Sequence, residues 1–436
     1  MNKVDKKLLE TAEYAMNALK KAGAQKVACT VSKSRTDELN IEASKFSLMR
    51  TLFSDSLHMK ALVDGKKGTI SINKLDKDSI DAAVADTIAL ANASTPDEAE
   101  DIAPKVENKH FDQTLGGSDM DSLFSRTKEF LEQTADEFPK IILGESSSQF
   151  SNTQFVHVNS NGVEFANALE YYHLGSMFSA KEGTDTTSFY GYGTIANSLK
   201  VPFMDIGLQR ALMQEAEKSI KTRMVDGKFV GKVIVAPNCG GMLWGNMIDC
   251  FLGEYSLISG TSRWKDSLGE KVADSKLTFR SLAAHPNIVL GEKITGDGFE
   301  SSDFDYIENG VLKSYSLSLY GANKTGKPRS LNSGGSWAID PGETPLADII
   351  KGIDKGIIIG RFSGASPGPS GDISGVAKNS FLIENGQITD ALGETMISFN
   401  VIDVIQEIVA ISKERVVDGY SLMPWCCIDG VTVSGK

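Results

Sequence analysis

The sequence contains few histidines, and none of them is arranged as part of a metal-ligand pair. Its five histidines are scattered through 436 residues, and no two stand at the three-to-five residue spacing of helical or zinc-finger ligands. His157 and His173 could face each other across paired strands, but we interpret both as structural residues of a sheet. A zinc site built by this chain alone is therefore not predicted.

Long apolar runs and a secretory leader are also missing. No stretch approaches the roughly 18 consecutive apolar residues that a membrane-spanning helix requires. The polar first residues lead into an amphipathic pattern, which does not resemble a signal peptide. The five cysteines are an odd number in a long chain, and they fit a reducing compartment better than a disulfide framework. We expect a cytoplasmic protein that is not associated with a membrane.

Positive charge is in deficit, which argues against nucleic acid as a partner. The formal net charge is -12, and no basic stripe offsets it. Affinity for nucleic acid depends largely on Lys and Arg that neutralise phosphates. A hydrophobic content of 41% with 23% charged residues is typical of a folded globular chain. The composition therefore favours a globular protein whose main partner is not nucleic acid; it allows a protein partner without supporting one.

Two familiar catalytic or nucleotide-binding motifs are absent or incomplete. No Gly-x-Ser-x-Gly motif occurs, and we interpret Ser363 and Ser374, which have no histidine nearby in sequence, as turn residues. A triad assembled from distant residues stays open. Residues 321–328 have the glycine and lysine spacing of a phosphate loop, but Pro328 stands where a magnesium-binding hydroxyl is required. Nucleotide binding is not predicted there.

What the sequence does contain is a glycine-rich segment between Gly360 and Gly386. Five glycines and two prolines within residues 360–375 exclude a helix and predict a loop whose backbone lies against another part of the molecule. The segment then becomes a strand that ends in Ile383-Glu384-Asn385-Gly386, a two-residue hairpin signal. The same tetrad occurs at residues 307–310. Two related hairpins indicate a sheet built around a site.

Hydrophobic periodicity and turn signals predict an α+β fold in three units. The predicted units are an N-terminal α+β domain (1–110), a middle α+β domain (111–227) and a strand-rich C-terminal domain (228–436) with repeated β-hairpins. Helices are predicted at 8–19, at 80–91, from Ser118 onward, at 205–223 and from about Asn400. Strands are predicted at 27–31, 38–46, 57–72 with a fold at Asp64-Gly65, 141–143, 154–159, 164–180, 230–236 and 311–320.

Several of these motifs together resemble the TldD/PmbA family over nearly the whole chain. They are Leu268-Gly269-Glu270-Lys271-Val272, the stretch from Ile307 to Lys313, Gly371-Asp372-Ile373-Ser374-Gly375-Val376-Ala377-Lys378 and the stretch from Phe381 to Gly386. The family has two similar branches that pair as a heterodimeric metallopeptidase. In the catalytic branch a helix carries His-Glu-x-x-x-His, and a cysteine nearer the C-terminus completes a zinc site.

The resemblance implies that the zinc motif is missing from this chain. The matching strand and helix run from Val233 to Asp249, where Trp244 and Asp249 stand at about the histidine positions and Gly245 at the glutamate position. Tryptophan cannot bind zinc, and glycine cannot act as a general base. The chain therefore resembles the PmbA branch, also called TldE, and zinc is expected in a partner subunit.

The leading hypothesis is a non-catalytic subunit of a zinc metallopeptidase that acts on unfolded or extended peptides. Its partner is expected to be a TldD-like zinc-bearing subunit or a second copy of the chain. Two alternatives stay open: a non-proteolytic modulator similar to the DNA gyrase modulators described for this family, and a self-sufficient hydrolase with an unrecognised site. We expect no catalytic residue in the chain, and we expect the substrate path to contain Gly360, Arg361, Ser363, Gly364, Gly371, Asp372, Ser374 and Gly375.

Overall fold

Two β-sheets with helices packed against them form the protein in the computed structural model, which describes residues 4–435. The helices are α1 (Lys6–Lys21), α2 (Lys77–Ala93), α3 (Met120–Glu137), α4 (Gln209–Lys218), α5 (Trp244–Met247), α6 (Glu254–Ile258), α7 (Leu319–Thr325), α8 (Leu346–Lys351) and α9 (Val401–Gln406). The strands of the first sheet are β1 (Lys26–Glu42), β2 (Lys45–Val63), β3 (Lys66–Ile72), β4 (Lys109–Gln113), β5 (Ile141–Leu143), β6 (Ser146–Asn159), β7 (Glu164–Glu182), β8 (Asp185–Thr186) and β9 (Tyr190–Ala196). The strands of the second sheet are β10 (Lys228–Val235), β11 (Phe279–Ser281), β12 (Phe304–Glu308), β13 (Val311–Leu312), β14 (Trp337–Ile339), β15 (Lys355–Gly364), β16 (Asp372–Glu384), β17 (Gln387–Leu392), β18 (Thr395–Asn400), β19 (Ile408–Val417) and β20 (Leu422–Ser434).

The first sheet has the central order β3-β2-β1-β6-β7-β4, and α1 and α2 cover part of one face. Helix α1 begins at the N-cap residue Asp5, whose carboxylate accepts a hydrogen bond from the Lys7 amide (3.0 Å). The buried residues of α1 recur at helical spacing, as the sequence predicts; they are Leu8, Ala12, Ala15 and Leu19. The apolar stripe explains why this helix forms and which face it turns to the sheet.

One turn in the first sheet was missed by the sequence patterns. The predicted strand over 38–46 is wrong, because β1 ends at Glu42 and β2 begins at Lys45. Ala43 and Ser44 form the turn, with φ angles of 47° and 61°. When both central residues of a hairpin turn have left-handed backbone angles, they are most often Asn-Gly. The predicted fold at Asp64-Gly65 is confirmed, since β2 and β3 meet there.

Two helix boundaries also differ from prediction. Helix α3 is capped by Asp119, whose carboxylate accepts from the Ser122 amide (2.9 Å), so the helix does not open at Ser118. Helix α4 covers Gln209–Lys218 and not the full range 205–223, because a separate 3-10 turn at Phe203–Asp205 precedes it. The predicted helix after Asn400 is confirmed as α9, with the Asn400 side chain bonded to the Ile402 amide (3.0 Å).

The second sheet contains a closed ring of five strands. The order β10-β15-β16-β18-β20 closes on itself, because β10 pairs with β20 as well as with β15. Alternate residues of these strands fill the ring interior, among them Val233, Ile357, Ile397 and Val433, each at most 1% exposed. The predicted α+β class with a strand-rich C-terminal region is confirmed.

Both predicted Asn-Gly hairpins are present in this sheet. Asn309-Gly310 joins β12 to β13, and Asn385-Gly386 joins β16 to β17. The φ angles are positive at both central residues of each turn, 47° and 80° in the first and 50° and 76° in the second. This is the pattern of a type I′ turn, whose twist matches that of the flanking strands.

Two other predictions in this region are wrong in part. The strand predicted for 311–320 ends at Leu312, and Leu319–Thr325 is helix α7, capped by the Ser318 side chain. The glycine-rich segment is a β-hairpin, since β15 continues to Gly364 and β16 begins at Asp372. Only residues 365–371 form a loop. Glycine occurs both in turns and in strands that pack closely, so a glycine-rich sequence does not distinguish a loop from a strand.

None of the helices in the range 4–435 is long and apolar enough to cross a membrane. The predicted unit boundaries near residues 110 and 227 stay predictions.

Replacing Gly386 by alanine tests the second hairpin. An added Cβ at Gly386 would lie 2.8 Å from the Lys351 carbonyl oxygen, whereas Gly269, with a similar φ of 86°, has no atom within 4 Å of that position. We expect Gly269→Ala to cost about 1 kcal/mol from left-handed strain alone, and Gly386→Ala to cost at least about 2 kcal/mol because the backbone must also shift. Urea unfolding measures both, and equal losses would contradict the close contact.

Candidate functional site

The candidate site surrounds the turn Pro237–Met242, which follows β10 as a 3-10 helix. Two cavities flank this turn and share Asn238 and Gly241 in their walls. The smaller has a volume of about 300 Å³ and lies against the glycine-rich hairpin. The larger, of about 420 Å³, lies where the first and second sheets meet. The two cavities therefore lie beside the same turn and share part of its wall.

A short free strand edge lines the smaller cavity. Strand β10 runs parallel to β15, and their last pair is Val235 with Ile359. The Ala236 amide still bonds to the Ile359 carbonyl (3.1 Å), and the Asn238 side-chain amide donates to the Gly360 carbonyl (2.8 Å). From Arg361 to Gly364, β15 pairs with β16 on one side, and no described strand pairs on the other. This edge can accept a further extended chain.

Arg361 supplies an unpaired positive charge beside this edge. Its guanidinium carbon lies 4.0 Å from the ring centre of Phe189, and Nη2 donates to Ser188 Oγ (2.7 Å). Its Nε is buried and has no hydrogen-bond partner within residues 4–435, and no described carboxylate forms an ion pair with it. Burial lowers the pKa of Arg361 below its ordinary value, but the group remains charged at neutral pH.

The larger cavity is bordered by a segment that ties the two sheets together. The Ile195 amide of β9 donates to the Asp418 carbonyl (2.7 Å), and the Tyr420 hydroxyl donates to the Gly193 carbonyl (3.4 Å). The Asp418 carboxylate accepts from the Ser421 amide (2.6 Å), yet burial raises its pKa above the ordinary value. Burial also raises the pKa of Tyr420 to about 12, so its hydroxyl is neutral at physiological pH.

The predicted path residues lie on one hairpin, but only two of them line a cavity. Arg361 and Gly364 border the smaller cavity. Gly364 is paired with Gly375, and a Cβ on either would approach the Phe362 ring to 2.5 Å. The other candidates take three kinds of position: Gly360 is a buried strand residue, Gly371 is a buried loop residue against Phe251, and Ser363, Asp372 and Ser374 are exposed strand residues.

Comparisons with known proteins agree with this architecture. A family model described as the PmbA/TldA metallopeptidase C-terminal domain matches residues 227–435. Metalloprotease PmbA of Escherichia coli O157:H7 is 23% identical over 433 residues, covering 94% of this chain and 92% of that protein. The chain is therefore similar to TldD/PmbA proteins over most of its length, and residues 227–435 match the C-terminal domain of that family.

Solved structures share its fold. TldE from Thermococcus kodakarensis superposes with a TM-score of 0.83 at 18% identity, covering 98% of this chain and 100% of that one. A structure from Bacteroides thetaiotaomicron, described as a candidate modulator of DNA gyrase, has a TM-score of 0.84 at 21% identity and covers 99% and 100%. At these identities the superpositions establish the fold, and the site's chemistry has to come from this chain's own residues.

The TldD/PmbA resemblance directs attention to residues 244–249, whose side chains do not fit a zinc ion. Trp244 is 1% exposed and packs on Phe279, with ring centres 5.9 Å apart. A Cβ on Gly245 would contact the Trp337 ring at 3.4 Å, and Asp249 is exposed to solvent. Within residues 4–435 no group of three or more His, Cys, Asp or Glu side chains is placed to hold a metal.

Neither His157 nor His173 lines either of the two cavities. His157 lies opposite Phe165 and His173 opposite Gln149, so the two histidines do not face each other. His157 Nδ1 is 2.9 Å from Thr30 Oγ1, and burial lowers the pKa of His157 to about 4. Both histidines lie on the first sheet, which agrees with their interpretation as structural residues.

Sequence patterns missed several residues of this site. Asn238 and Asn246 line the smaller cavity, and Ser188 and Phe189 hold Arg361 from the other sheet. Pro237 directly after a buried strand was a signal for the turn, but nothing in the sequence placed residues 188–189 beside residue 361. That contact depends on how the two sheets pack.

Thiol reactivity tests the alternative of a cysteine hydrolase. All five cysteines are buried and free, and burial raises the pKa of Cys239 to about 12. At pH 8 roughly one Cys239 thiol in ten thousand is then a thiolate. We expect no labelling by Ellman's reagent in the folded chain and labelling of all five cysteines after unfolding in guanidinium. Rapid labelling of one cysteine in the folded chain would contradict this account.

Proposed function

We propose that this chain is a peptide-holding, non-catalytic subunit of a TldD/PmbA-type metallopeptidase. It binds unfolded or extended peptides along the free edge of β15, and a zinc-bearing relative supplies the cleavage. The observation that carries the proposal is a free strand edge with a cation beside it, lining a cavity where the described residues form no group of metal ligands.

Main-chain pairing explains why such a site would accept many sequences. A peptide that adds to a strand edge is bound through its N–H and C=O groups, which every residue carries. Glycine at 364 and 375 leaves room for the Phe362 ring to pack across this pair, so the two strands add no side chain of their own there. Arg361 adds charged donors for a peptide carbonyl or carboxylate group. A folded protein cannot reach the edge, because its own main chain is already paired.

The chemistry of residues 244–249 explains why a second subunit would have to supply the catalysis. Metal-assisted hydrolysis needs ligands that leave a coordination position open and a general base within reach of the attacking water. Trp, Gly and an exposed Asp at these positions offer neither. A zinc-bearing TldD-like chain is therefore the proposed partner in catalysis, and the buried free thiols fit assembly in the reducing cytoplasm.

Measurements of zinc content and peptide cleavage test directly whether this chain is the non-catalytic subunit. We expect the purified chain to contain no stoichiometric zinc by atomic emission and to leave an unstructured, fluorescence-quenched peptide intact. Addition of a relative that carries His-Glu-x-x-x-His is expected to give cleavage above that of the relative alone. Zinc-dependent cleavage by this chain alone would contradict the proposal. Absence of cleavage in every mixture would favour a non-proteolytic modulator.

Substitution of Arg361 tests the peptide site. We expect Arg361→Gln to weaken binding of a fluorescein-labelled unstructured peptide by roughly tenfold or more, because hydrogen bonds to charged groups contribute about 1.5–3 kcal/mol. Arg223→Gln is the matched control, since it makes the same charge change at an exposed arginine beside Asp390. Fluorescence anisotropy measures both affinities. Equal losses in the two variants would show a general charge effect and remove Arg361 from the site.

A further inference from the structure

The larger cavity beside the Pro237–Met242 turn has a wall that is mostly apolar and aromatic. Its large side chains come from both sheets and include Tyr192, Leu208, Trp337, Val416, Tyr420 and Met423. Asp418 is the only charged residue that the described chain places in this wall. The volume of about 420 Å³ lies within the range of sites for small ligand groups. The cavity therefore combines an apolar interior with a single negative charge.

Asp418 lies in the loop that joins β19 to β20, and that loop fixes the position of its carboxylate. Oδ1 accepts hydrogen bonds from the amides of Tyr420 (3.0 Å) and Ser421 (2.6 Å). Oδ2 accepts from the Ser421 hydroxyl (2.7 Å). All three donors are neutral, and an ionised carboxylate has room for further donors. The loop thus orients the carboxylate and leaves its charge without a counter-ion.

Asp418 differs in this respect from the other buried carboxylates of the described chain. Three of those form ion pairs: Asp37 with Arg35, Glu38 with Arg50 and Glu100 with Lys60. Glu170 has no basic partner, but four N–H groups donate to its two oxygens. Asp418 is 8% exposed, no Lys, Arg or His of residues 4–435 forms an ion pair with it, and burial raises its pKa. Buried charges are normally paired, so a cation is missing here.

We propose that the larger cavity binds an organic cation, an ammonium or guanidinium group on an alkyl stem, with Asp418 as the counter-ion. Such a group forms a charge-assisted hydrogen bond with the carboxylate, and the stem lies against apolar side chains such as Leu208 and Met423. The aromatic rings in the wall favour the same ligand, because the face of a ring attracts a cation. A carboxylate ligand is repelled by Asp418. Lysine and arginine side chains of a peptide carry this chemistry, and so do free amines.

The polar ends of the aromatic side chains are already bonded to the protein. The Trp337 indole N–H donates to the Gly334 carbonyl (2.7 Å), and the Tyr420 hydroxyl donates to the Gly193 carbonyl (3.4 Å). Neither donor is therefore left to bind an anion. Tyr420 is 43% exposed, which places it where the cavity meets solvent. The wall thus offers a cation one carboxylate and offers an anion no free charged donor.

The inference rests on the proposed function where the cation belongs to a bound peptide. The two cavities share Asn238 and Gly241 in their walls, and a Cβ on Gly241 would meet no atom within 4 Å. A peptide at residues 361–364 and a basic side chain at Asp418 would therefore lie against the same turn. The preference for a cation concerns Asp418, whereas peptide binding concerns β15, so the two can fail separately.

Two fluorescein-labelled unstructured peptides, with lysines or with norleucines at the same positions, test the preference by fluorescence anisotropy. We expect the wild-type chain to bind the lysine peptide roughly tenfold more tightly, as one hydrogen-bonded charge pair would give. Asp418→Asn should abolish this preference. Asp429→Asn is the matched control, since it makes the same change at an exposed carboxylate that accepts from a loop amide, that of Gly430 (2.7 Å). A lysine preference that survives Asp418→Asn would be a general effect of the acidic surface and would overturn the proposal.

Thermal melting followed by circular dichroism separates a binding role of Asp418 from a structural one. Asparagine can accept the same two amide hydrogen bonds through its side-chain oxygen. Burial disfavours the ionised carboxylate in the free chain, so removal of the charge should leave the melting temperature unchanged or raise it. A clearly lower melting temperature for Asp418→Asn than for Asp429→Asn would show that the charge stabilises the loop, and would overturn its role as a counter-ion.

A small amine tests the cavity without a peptide. Acetyl-lysine methylamide carries the side chain but is too short to pair along a strand edge. We expect saturation-transfer NMR signals from its side chain with the wild type and Asp429→Asn, and none with Asp418→Asn or from the norleucine analogue. These signals together with a lysine preference among peptides would identify a basic side chain as the ligand, and the signals alone would identify a free amine. No signal together with equal peptide affinities, or with no peptide binding, would overturn the proposal.

Discussion

The parallel pairing of β10 with β15 determines the shape of the candidate site. It continues to Val235 and Ile359, and then the chain of β10 turns away at Pro237. Beyond that point β15 keeps its pairing with β16 but has an open side. Had β10 continued for another four residues, the edge from Arg361 to Gly364 would be paired and the smaller cavity filled. The free edge is thus a direct result of where one strand stops.

The closed ring of strands holds this edge in place. Strand β10 is paired with β20 as well as with β15, and the ring interior is filled by apolar residues from all five strands. A packed interior resists distortion, so an edge built on it is presented in one conformation. Phe362 covers the glycine pair 364 and 375 and keeps the hairpin narrow. Peptide binding at this edge would not carry the entropic cost of ordering a flexible loop.

The sequence predicted those features that depend on local chemistry. The Asn385-Gly386 hairpin was found because turn residues act on their immediate neighbours. Helices α1 and α9 were found because apolar residues at helical spacing mark the buried face of a helix. The Ala43-Ser44 turn was missed because neither residue is a usual left-handed residue. Residues 360–364 were assigned to a loop because glycine signals both turns and close strands. Features that arise from packing between sheets, such as Phe189 over Arg361 or the cavity beside Asp418, had no local signal.

Amide hydrogen exchange with and without peptide tests the central claim most directly. The outward amides of residues 361–364 pair with no strand among residues 4–435, so they should exchange quickly without peptide. If an extended peptide adds to this edge, saturation with an unstructured peptide should slow exchange at 361–364 and leave exchange at residues 45–56 of β2 unchanged. Peptide binding that protects other segments while 361–364 exchange as before would contradict the account.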